Sequence, residues 1–267
     1  MSSKPTVNLK LVALPAEHGG WGFLMVPVLA GLIFAFSVPG LVLSFAALFL
    51  FLTHQPLKVA LKDSLKGKIY PRTRAAILFA VSYSLLTAVL FLLALRLTPS
   101  SDFVKPLMVA LPLFAVVLAF DLRSSSREWL PEIIASASFG SVAAAIAILG
   151  GANLWLASGI WFLIALHSAS AILYVRARLR LERDLSASAL PQTCVFVLAF
   201  FTCAWMSKNG AINMLPGLAF AVLFIRSIYG LSKFRKVVPA KSVGFQEFGY
   251  GLLVSLAIGF CQMGIGR

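Results

Sequence analysis

The sequence predicts an all-α fold, a polytopic membrane helix bundle that forms a single domain over residues 1–267. The first observation is composition: 60% of the residues are hydrophobic, 12% are charged, and the mean hydropathy is +0.94. Because soluble domains carry about 25% charged residues, too few polar residues remain to cover a globule in water. The second observation is a series of long apolar runs, and the third is the clustering of basic residues between alternate runs.

The apolar runs predict nine transmembrane helices. A helix needs roughly 17–25 mainly apolar residues to cross the hydrocarbon core of a bilayer, and the runs between charges and Gly or Pro breaks are about this long. The predicted spans are 19–37, 39–57, 74–96, 105–120, 131–150, 153–175, 187–207, 210–230 and 246–264. No small-residue cleavage site closes the first run, so we expect the first span to be retained rather than removed as a signal peptide. The short links SVPG and GGAN predict two antiparallel hairpins.

The basic residues predict the orientation. Lysine and arginine are enriched in cytoplasmic connections. With the N-terminus inside and the C-terminus outside, the outer side keeps only Arg96, Lys105, Lys208 and Arg267 of the 23 basic residues. We therefore predict a multi-pass protein of the cell membrane with a cytoplasmic N-terminus. The net charge of +14 is explained by contact with anionic headgroups, and no aromatic–basic module typical of nucleic-acid binding is found.

Acidic residues do not follow the rule that sorts basic ones, yet all except Asp102 fall on the same predicted side. Two explanations stay open. The acids pair with nearby Lys and Arg, or the cytoplasmic face holds a polar site. The three cysteines lie in apolar segments without CxxC spacing, which favours packing over disulfides or metal binding.

The stretch LPAEHGGWGFLMVP, residues 14–27, places Glu17 and His18 at the entrance of the first span. Two glycines follow and allow close approach of the backbone at the start of the helix. One interpretation is a helix entrance anchored by Trp21 at the interface. The other is an acid–base pair that faces a ligand, and this makes Glu17 and His18 the candidate catalytic residues.

Two cytoplasmic connections carry candidate ligand-binding residues. At the end of the second span, Lys58 and Lys62 share a helix face and suit either a lipid headgroup or a phosphate. The link FDLRSSSREWLPE then places five charged side chains in a short segment, either as an anion site or as a structural clasp. These five are Asp121, Arg123, Arg127, Glu128 and Glu132, and the first four are candidate ligand-binding residues.

Later spans add His167, Tyr174, Arg176 and Glu247. His167 lies about two helical turns, roughly 10 Å, below Tyr174, and it is the most deeply placed ionisable residue. Such residues are functional hypotheses by default, although a neutral histidine bonded to a neighbouring helix is an alternative. Glu247 opens the ninth span as Glu17 opens the first, and we expect it to pair with an arginine from another loop.

Several of these residues resemble known families. Pro15, His18, Gly19, Trp21 and Pro27 match the entry motif of the YwiC-like family of bacterial integral membrane proteins, and the blocks QPL, SSSRE, HSASAILYVR and GFQE are similar to later ones. The span count and the inward-facing polar residues also resemble the UbiA-like prenyltransferases. That second resemblance implies Asp-rich motifs that hold Mg²⁺-diphosphate, but Lys58 and Lys62 stand where carboxylates are needed.

These observations lead to one hypothesis and two alternatives. The hypothesis is a cytoplasm-facing polar pocket, with His167 at its floor, that binds or modifies an amphiphile with an anionic head, such as a lipid or isoprenoid phosphate. No cofactor or metal-ligating motif is predicted, and Mg²⁺ fits only where a phosphate ligand supplies most of the coordination. The alternatives are a transporter of ions or small molecules, whose polar residues belong near the bilayer midplane, and a structural subunit.

Overall fold

The computed structural model describes residues 9–15, 20–67, 69–123 and 128–263, and these residues form ten α-helices without a β-strand. The helices are α1 (Leu9–Ala13), α2 (Gly20–Phe34), α3 (Val38–Leu65), α4 (Pro71–Arg96), α5 (Val104–Leu122), α6 (Trp129–Leu149), α7 (Leu154–Leu181), α8 (Leu190–Lys208), α9 (Leu215–Leu231) and α10 (Ala240–Gly259). The predicted all-α class is confirmed.

Six of these helices, α3 to α8, are long and apolar enough to cross a membrane, with 19 to 28 residues each. The shorter helices α2 and α9 are also apolar. The chain is therefore a multi-pass membrane protein. Helices α2 to α10 overlap the nine predicted spans in order, while the count of nine crossings and the orientation stay predictions.

Two helices run further than their predicted spans. Helix α3 continues to Leu65 and α7 continues to Leu181, beyond the predicted ends at 57 and 175. Pro56 lies inside α3, and α7 continues through Arg176, Arg178 and Arg180. The charges that mark the end of an apolar run do not end a helix, because lysine and arginine are good helix formers.

Helix α6 lies between two apolar cores. Val142, Ala145 and Ile146 pack with residues of α2 to α5, whereas Ala143 and Ala144 pack with residues of α7 to α10. Small side chains let helix backbones approach closely in membranes, so the alanine-rich run of α6 brings both halves of the bundle together. Helix α10 closes the second half against α2, where Ser255 Oγ donates a hydrogen bond to the Val26 carbonyl at 3.1 Å.

The predicted hairpin links meet at one end of the bundle. A Cβ added to Gly150 would lie 2.3 Å from Cβ of Ala35, so the α6–α7 turn packs directly on the end of α2. Ser37 caps α3 by accepting a hydrogen bond from the Gly40 amide, and Asn153 caps α7 in the same way from Leu156. Both links therefore lie at the end of the bundle opposite to the C-terminal ends of α3 and α7.

Candidate functional site

The ion pairs of the described residues lie almost entirely at one end of the bundle. They join the C-terminal parts of α3, α5, α7 and α9 with the N-terminal parts of α4, α6 and α10, and only the Asp102–Lys105 pair lies elsewhere. This end carries most of the residues predicted for the site. Pairing with basic residues therefore explains part of the clustering of acidic residues on one side, which is the first of the two explanations left open by the sequence.

Asp63 forms a structural clasp between α3 and α4. Arg72 donates to both of its carboxylate oxygens, at 2.9 and 3.1 Å, and Thr73 Oγ1 donates to one of them at 2.7 Å. Asp63 is buried, and Thr73 is fully buried beside it. All three side chains lie within ten residues of one another in the sequence, so this cluster fixes the α3–α4 turn.

Lys58 and Asp121 of the predicted set are brought together, and His54 joins them. His54 Nε2 lies 2.6 Å from Asp121 Oδ2, and Lys58 Nζ lies 2.6 Å from Asp121 Oδ1. Asp121 is 2% exposed, whereas His54 is 30% exposed. His54 and Lys58 are one helical turn apart on α3, so both reach the single carboxylate at the end of α5.

Arg176 of α7 pairs with Glu132 of α6 at 3.1 Å, and both side chains are partly exposed. The predicted residues Arg123 and Glu128, which flank the α5–α6 link, are exposed. Glu17, His18 and Arg127 lie outside the described residues. Their predicted roles stay predictions from the sequence.

Arg178 holds α7 to α9. Its guanidinium donates to the backbone carbonyls of Gly230 and Lys236, and its Nε lies 2.8 Å from Glu182 Oε1. The Arg178 side chain is 4% exposed. A buried arginine on the face of α7 opposite to Arg176 and Arg180 therefore joins two helices and the link that follows α9.

Arg226 is enclosed by aromatic rings. Its guanidinium carbon lies 3.9 Å from the Tyr174 ring centroid and 4.8 Å from that of Tyr250, and Nη2 donates to Glu247 Oε2 at 2.8 Å. Arg226 is 9% exposed. Its Nε and Nη1 have no hydrogen-bond partner among the described residues, and neither has Glu247 Oε1.

A cavity of about 520 Å³ opens beside this cluster, between α7, α9 and α10. Its polar lining includes Arg178, Arg226 and Lys236, and its other lining residues are Tyr174, Tyr229, Gly230, Val238, Val243, Gln246, Gly249, Tyr250 and Leu253. Gly230 is needed for this arrangement, because an added Cβ would lie 2.1 Å from the Tyr174 hydroxyl oxygen. Among the described residues of the predicted ligand-binding set, Tyr174 alone lines the cavity.

His167 lies deeper on the same face of α7 as Tyr174. It is buried, and its Nδ1 has no hydrogen-bond partner in the described part of the chain. A Cβ on Gly251 of α10 would lie 3.6 Å from His167 Nε2, so this histidine faces α10. It is not a lining residue of the cavity.

Sequence reasoning missed His54, Arg178 and Arg226 as site residues. Arg226 had a usable signal, because it lies inside the predicted span 210–230 and an ionisable residue within a span is a functional hypothesis. His54 lies one turn before Lys58, but only the fold shows that Asp121 is their common partner. Within the described ranges no group of three His, Cys, Asp or Glu residues is placed to hold a metal ion.

The first half of the chain matches a known protein family. Residues 14–147 match the model of the YwiC-like proteins. The chain belongs to the YwiC-like family. The matched region of this YwiC-like protein runs from the entrance of α2 almost to the end of α6, and so contains His54, Lys58 and Asp121. The similar blocks at 167–176 and 244–247 lie beyond it.

No curated relative and no solved structure matches this YwiC-like protein. The analogy to UbiA-like prenyltransferases therefore gains no support, and no activity follows from the family match.

Proposed function

We propose that this YwiC-like protein binds an amphiphile with an anionic, phosphate-like head in the cavity between α7, α9 and α10. The observation that carries the proposal is Arg226, a buried guanidinium beside the cavity whose Nε and Nη1 have no partner among the described residues. An unsatisfied buried polar group costs about 1–3 kcal/mol, and more when it is charged. An oxyanion in the cavity would satisfy these N–H groups.

The charges around the cavity favour an anion. Of the described residues that line it, three are cationic and none is a carboxylate. Arginine presents a planar fork of donors that suits phosphate and carboxylate. Tyr174 and Tyr250 cover the faces of the Arg226 guanidinium, so its donors are directed along its edges.

The apolar lining favours a ligand with a tail. Val238, Val243 and Leu253 line the same cavity as the cations, and its volume of about 520 Å³ falls in the range of about 300–1,000 Å³ for small-molecule sites. Lys233, Arg235 and Lys236 follow α9. By the positive-inside rule, we place the mouth of the cavity on the cytoplasmic side.

Chemical modification of the bound amphiphile would extend this binding function. If the bound amphiphile is modified, His18 and Glu17 are the acid–base pair that the sequence offers at the entrance of α2. Their contribution is tested by native mass spectrometry of the protein with added lipid, followed by analysis of the lipid products, with His18→Ala as the variant. Binding without turnover would restrict the function to lipid binding.

Replacing Arg226 with glutamine is expected to weaken the binding of phosphatidic acid about 10- to 100-fold. The reason is the loss of charge-assisted hydrogen bonds, each of which contributes about 1.5–3 kcal/mol. Native mass spectrometry of the protein in mild detergent measures this, with phosphatidic acid and phosphatidylcholine of identical chains as the added lipids. The wild type is expected to prefer phosphatidic acid.

The matched control is Arg183→Gln, which removes one positive charge from an exposed position just beyond α7. If it lowers binding as much as Arg226→Gln, the cavity is not the site. Equal binding of both lipids by the wild type would also reject the proposal. Circular dichroism and gel filtration establish that each variant is folded.

A transporter is the second candidate, and His167 is the observation that favours it. Its Nδ1 is buried without a partner among the described residues, and it lies two turns deeper than Tyr174 on the same face of α7. A polar position at that depth is typical of a substrate path. Uptake of radiolabelled inorganic phosphate into proteoliposomes, absent from His167→Asn, would support transport, whereas lipid binding without uptake would reject it.

A further inference from the structure

His54 is a histidine whose ring orientation is fixed by a buried carboxylate. Asp121 can only accept hydrogen bonds as a carboxylate, so the 2.6 Å contact means that His54 Nε2 carries the proton and donates it to Oδ2. The other oxygen of Asp121 accepts from Lys58. This assignment leaves Nδ1 of the neutral ring with its lone pair, which makes Nδ1 the proton acceptor.

The His54 ring is partly exposed, whereas its carboxylate partner is buried. His54 is 30% exposed, while the carboxylate behind it is 2% exposed. The Phe114 ring lies near the imidazole in an edge-to-face arrangement, with centroids 6.3 Å apart, so both an aromatic ring and a carboxylate neighbour His54. A carboxylate that fixes the tautomer of a histidine and stabilises its protonated form is the arrangement used for general bases.

This cluster differs from the structural clasps at the same end of the bundle. Arg72 on Asp63, Arg176 on Glu132 and Arg178 on Glu182 pair an acid with a guanidinium, which has donors only and does not lose its proton in proteins. His54 alone, among the described partners of acidic groups, has a second atom that accepts a proton. An ion pair that only joins two helices does not require a proton-accepting atom.

We propose that His54, Asp121 and Lys58 form a second site, in which His54 accepts a proton from a weak oxyacid such as dihydrogen phosphate or a singly charged phosphate monoester. The O–H bond of the acid breaks, its proton moves to Nδ1, and its electron pair stays on the oxygen. The resulting oxyanion lies beside an imidazolium and near the Lys58 ammonium. His54 contacts the ligand, and Asp121 is a positioning residue.

The proposal does not rest on the amphiphile cavity. The two sites share no residue, and this one lies within residues 14–147, the part that matches the YwiC-like family. The ligand chemistry is a protonated phosphate group, which either a free phosphate or the headgroup of phosphatidic acid provides. Separate titrations with inorganic phosphate and with phosphatidic acid distinguish the two sources.

The test is nuclear magnetic resonance of full-length protein labelled with ¹⁵N-histidine, in nanodiscs of phosphatidylcholine. The chain has three histidines, and His54→Gln assigns the His54 signals. We expect a protonated Nε2 and an unprotonated Nδ1 in the wild type, and a mixture of tautomers in Asp121→Asn. Asp102→Asn, which removes an exposed carboxylate at the other end of the bundle, is expected to change nothing.

Titration with inorganic phosphate below neutral pH is expected to shift the Nδ1 signal saturably towards the protonated form, with an affinity about tenfold weaker in Lys58→Gln. A shift with nanodiscs that contain phosphatidic acid, but not with inorganic phosphate, would assign the site to a lipid headgroup. No shift with either, or a wild-type ring with the tautomer mixture of free histidine, would overturn the proposal. Arg226→Gln is expected to leave this response intact, so failure of the cavity proposal is distinguishable.

Discussion

Replacement of Arg178 with methionine is expected to lower the free energy of unfolding by about 3–5 kcal/mol, the usual cost of removing one partner from a buried ion pair. Methionine keeps most of the aliphatic length and removes the guanidinium. The carbonyls of Gly230 and Lys236 then lose their donor, and Glu182, 12% exposed, loses its closest cation. Arg235 lies further from Glu182, at 3.8 Å, so it compensates only in part.

Thermal and denaturant unfolding of both proteins in the same detergent measures this effect. Arg180→Met is the matched control, because Arg180 stands two residues further along α7, is exposed, and donates to the Ser186 carbonyl on the surface. The control is expected to change the free energy of unfolding by less than about 1 kcal/mol. Equal losses in the two variants would mean that Arg178 contributes no more than a surface arginine.

Arg178 also lines the cavity, but its Nη1 and Nη2 donate to α9 and to the link that follows it. Arg178 therefore shapes the wall, whereas neither Nε nor Nη1 of Arg226 has a hydrogen-bond partner among the described residues. A loss of lipid binding in Arg178→Met that follows the loss of stability would reflect this structural role. The two arginines are thus separable by comparing binding with unfolding.

The fold class and the helix order could be predicted from sequence, because the apolar runs depend only on composition and length. The polar end of the bundle could be predicted in part. The sequence predicts Tyr174 and Glu247 as site residues. Glu247 does pair with an arginine, as expected, but Arg226 belongs to α9 rather than to a loop. Which arginine it is depends on the packing of α9 against α10, which single-sequence periodicity does not determine.

The partner of Asp121 illustrates the same limit. Asp121 and Lys58 were both identified as candidates, but as separate charges in two connections. They are 63 residues apart in sequence, and their contact requires α3 and α5 to be neighbours at the same depth. His54 was passed over because its own surroundings in the sequence are ordinary for the end of a span. Its importance comes from the carboxylate that the fold places beside it.

Helical spacing places Arg176 and Arg180 on one face of α7 and points Arg178 in another direction. That direction is towards α9, where the residue is buried. Helical periodicity gives the face on which a residue lies, whereas only the fold tells whether that face meets lipid, water or another helix.

The Glu247→Gln substitution is expected to have opposite effects on stability and on anion binding. Glu247 is the acid paired with Arg226, and the two side chains are 12% and 9% exposed. Without an anion, the variant leaves the buried guanidinium without a countercharge, so we expect the free energy of unfolding to fall by about 3 kcal/mol. The substituted amide would still accept one hydrogen bond from the guanidinium, which keeps the loss near the lower end of the range.

With phosphatidic acid present, the same variant is expected to gain more stability than the wild type. Ligand binding stabilises a protein by RT ln(1 + [L]/Kd), and removal of the carboxylate frees Arg226 for the anion and removes a repulsion from the site. An affinity about tenfold higher would add about 1.4 kcal/mol at saturation. Melting temperatures over a range of phosphatidic acid concentrations measure both effects, and Asp102→Asn is the control because it removes an exposed carboxylate outside the polar end.

The sign of the binding change distinguishes two roles for Glu247. If the variant binds phosphatidic acid more tightly, Glu247 competes with the ligand for Arg226, and the Arg226–Glu247 pair is the empty state of the site. If it binds more weakly, Glu247 positions the guanidinium between Tyr174 and Tyr250 for the ligand, as the sequence-based assignment of Glu247 to the binding set implies. An unchanged affinity, together with the expected loss of stability, would make the pair a structural clasp and would place any anion site elsewhere.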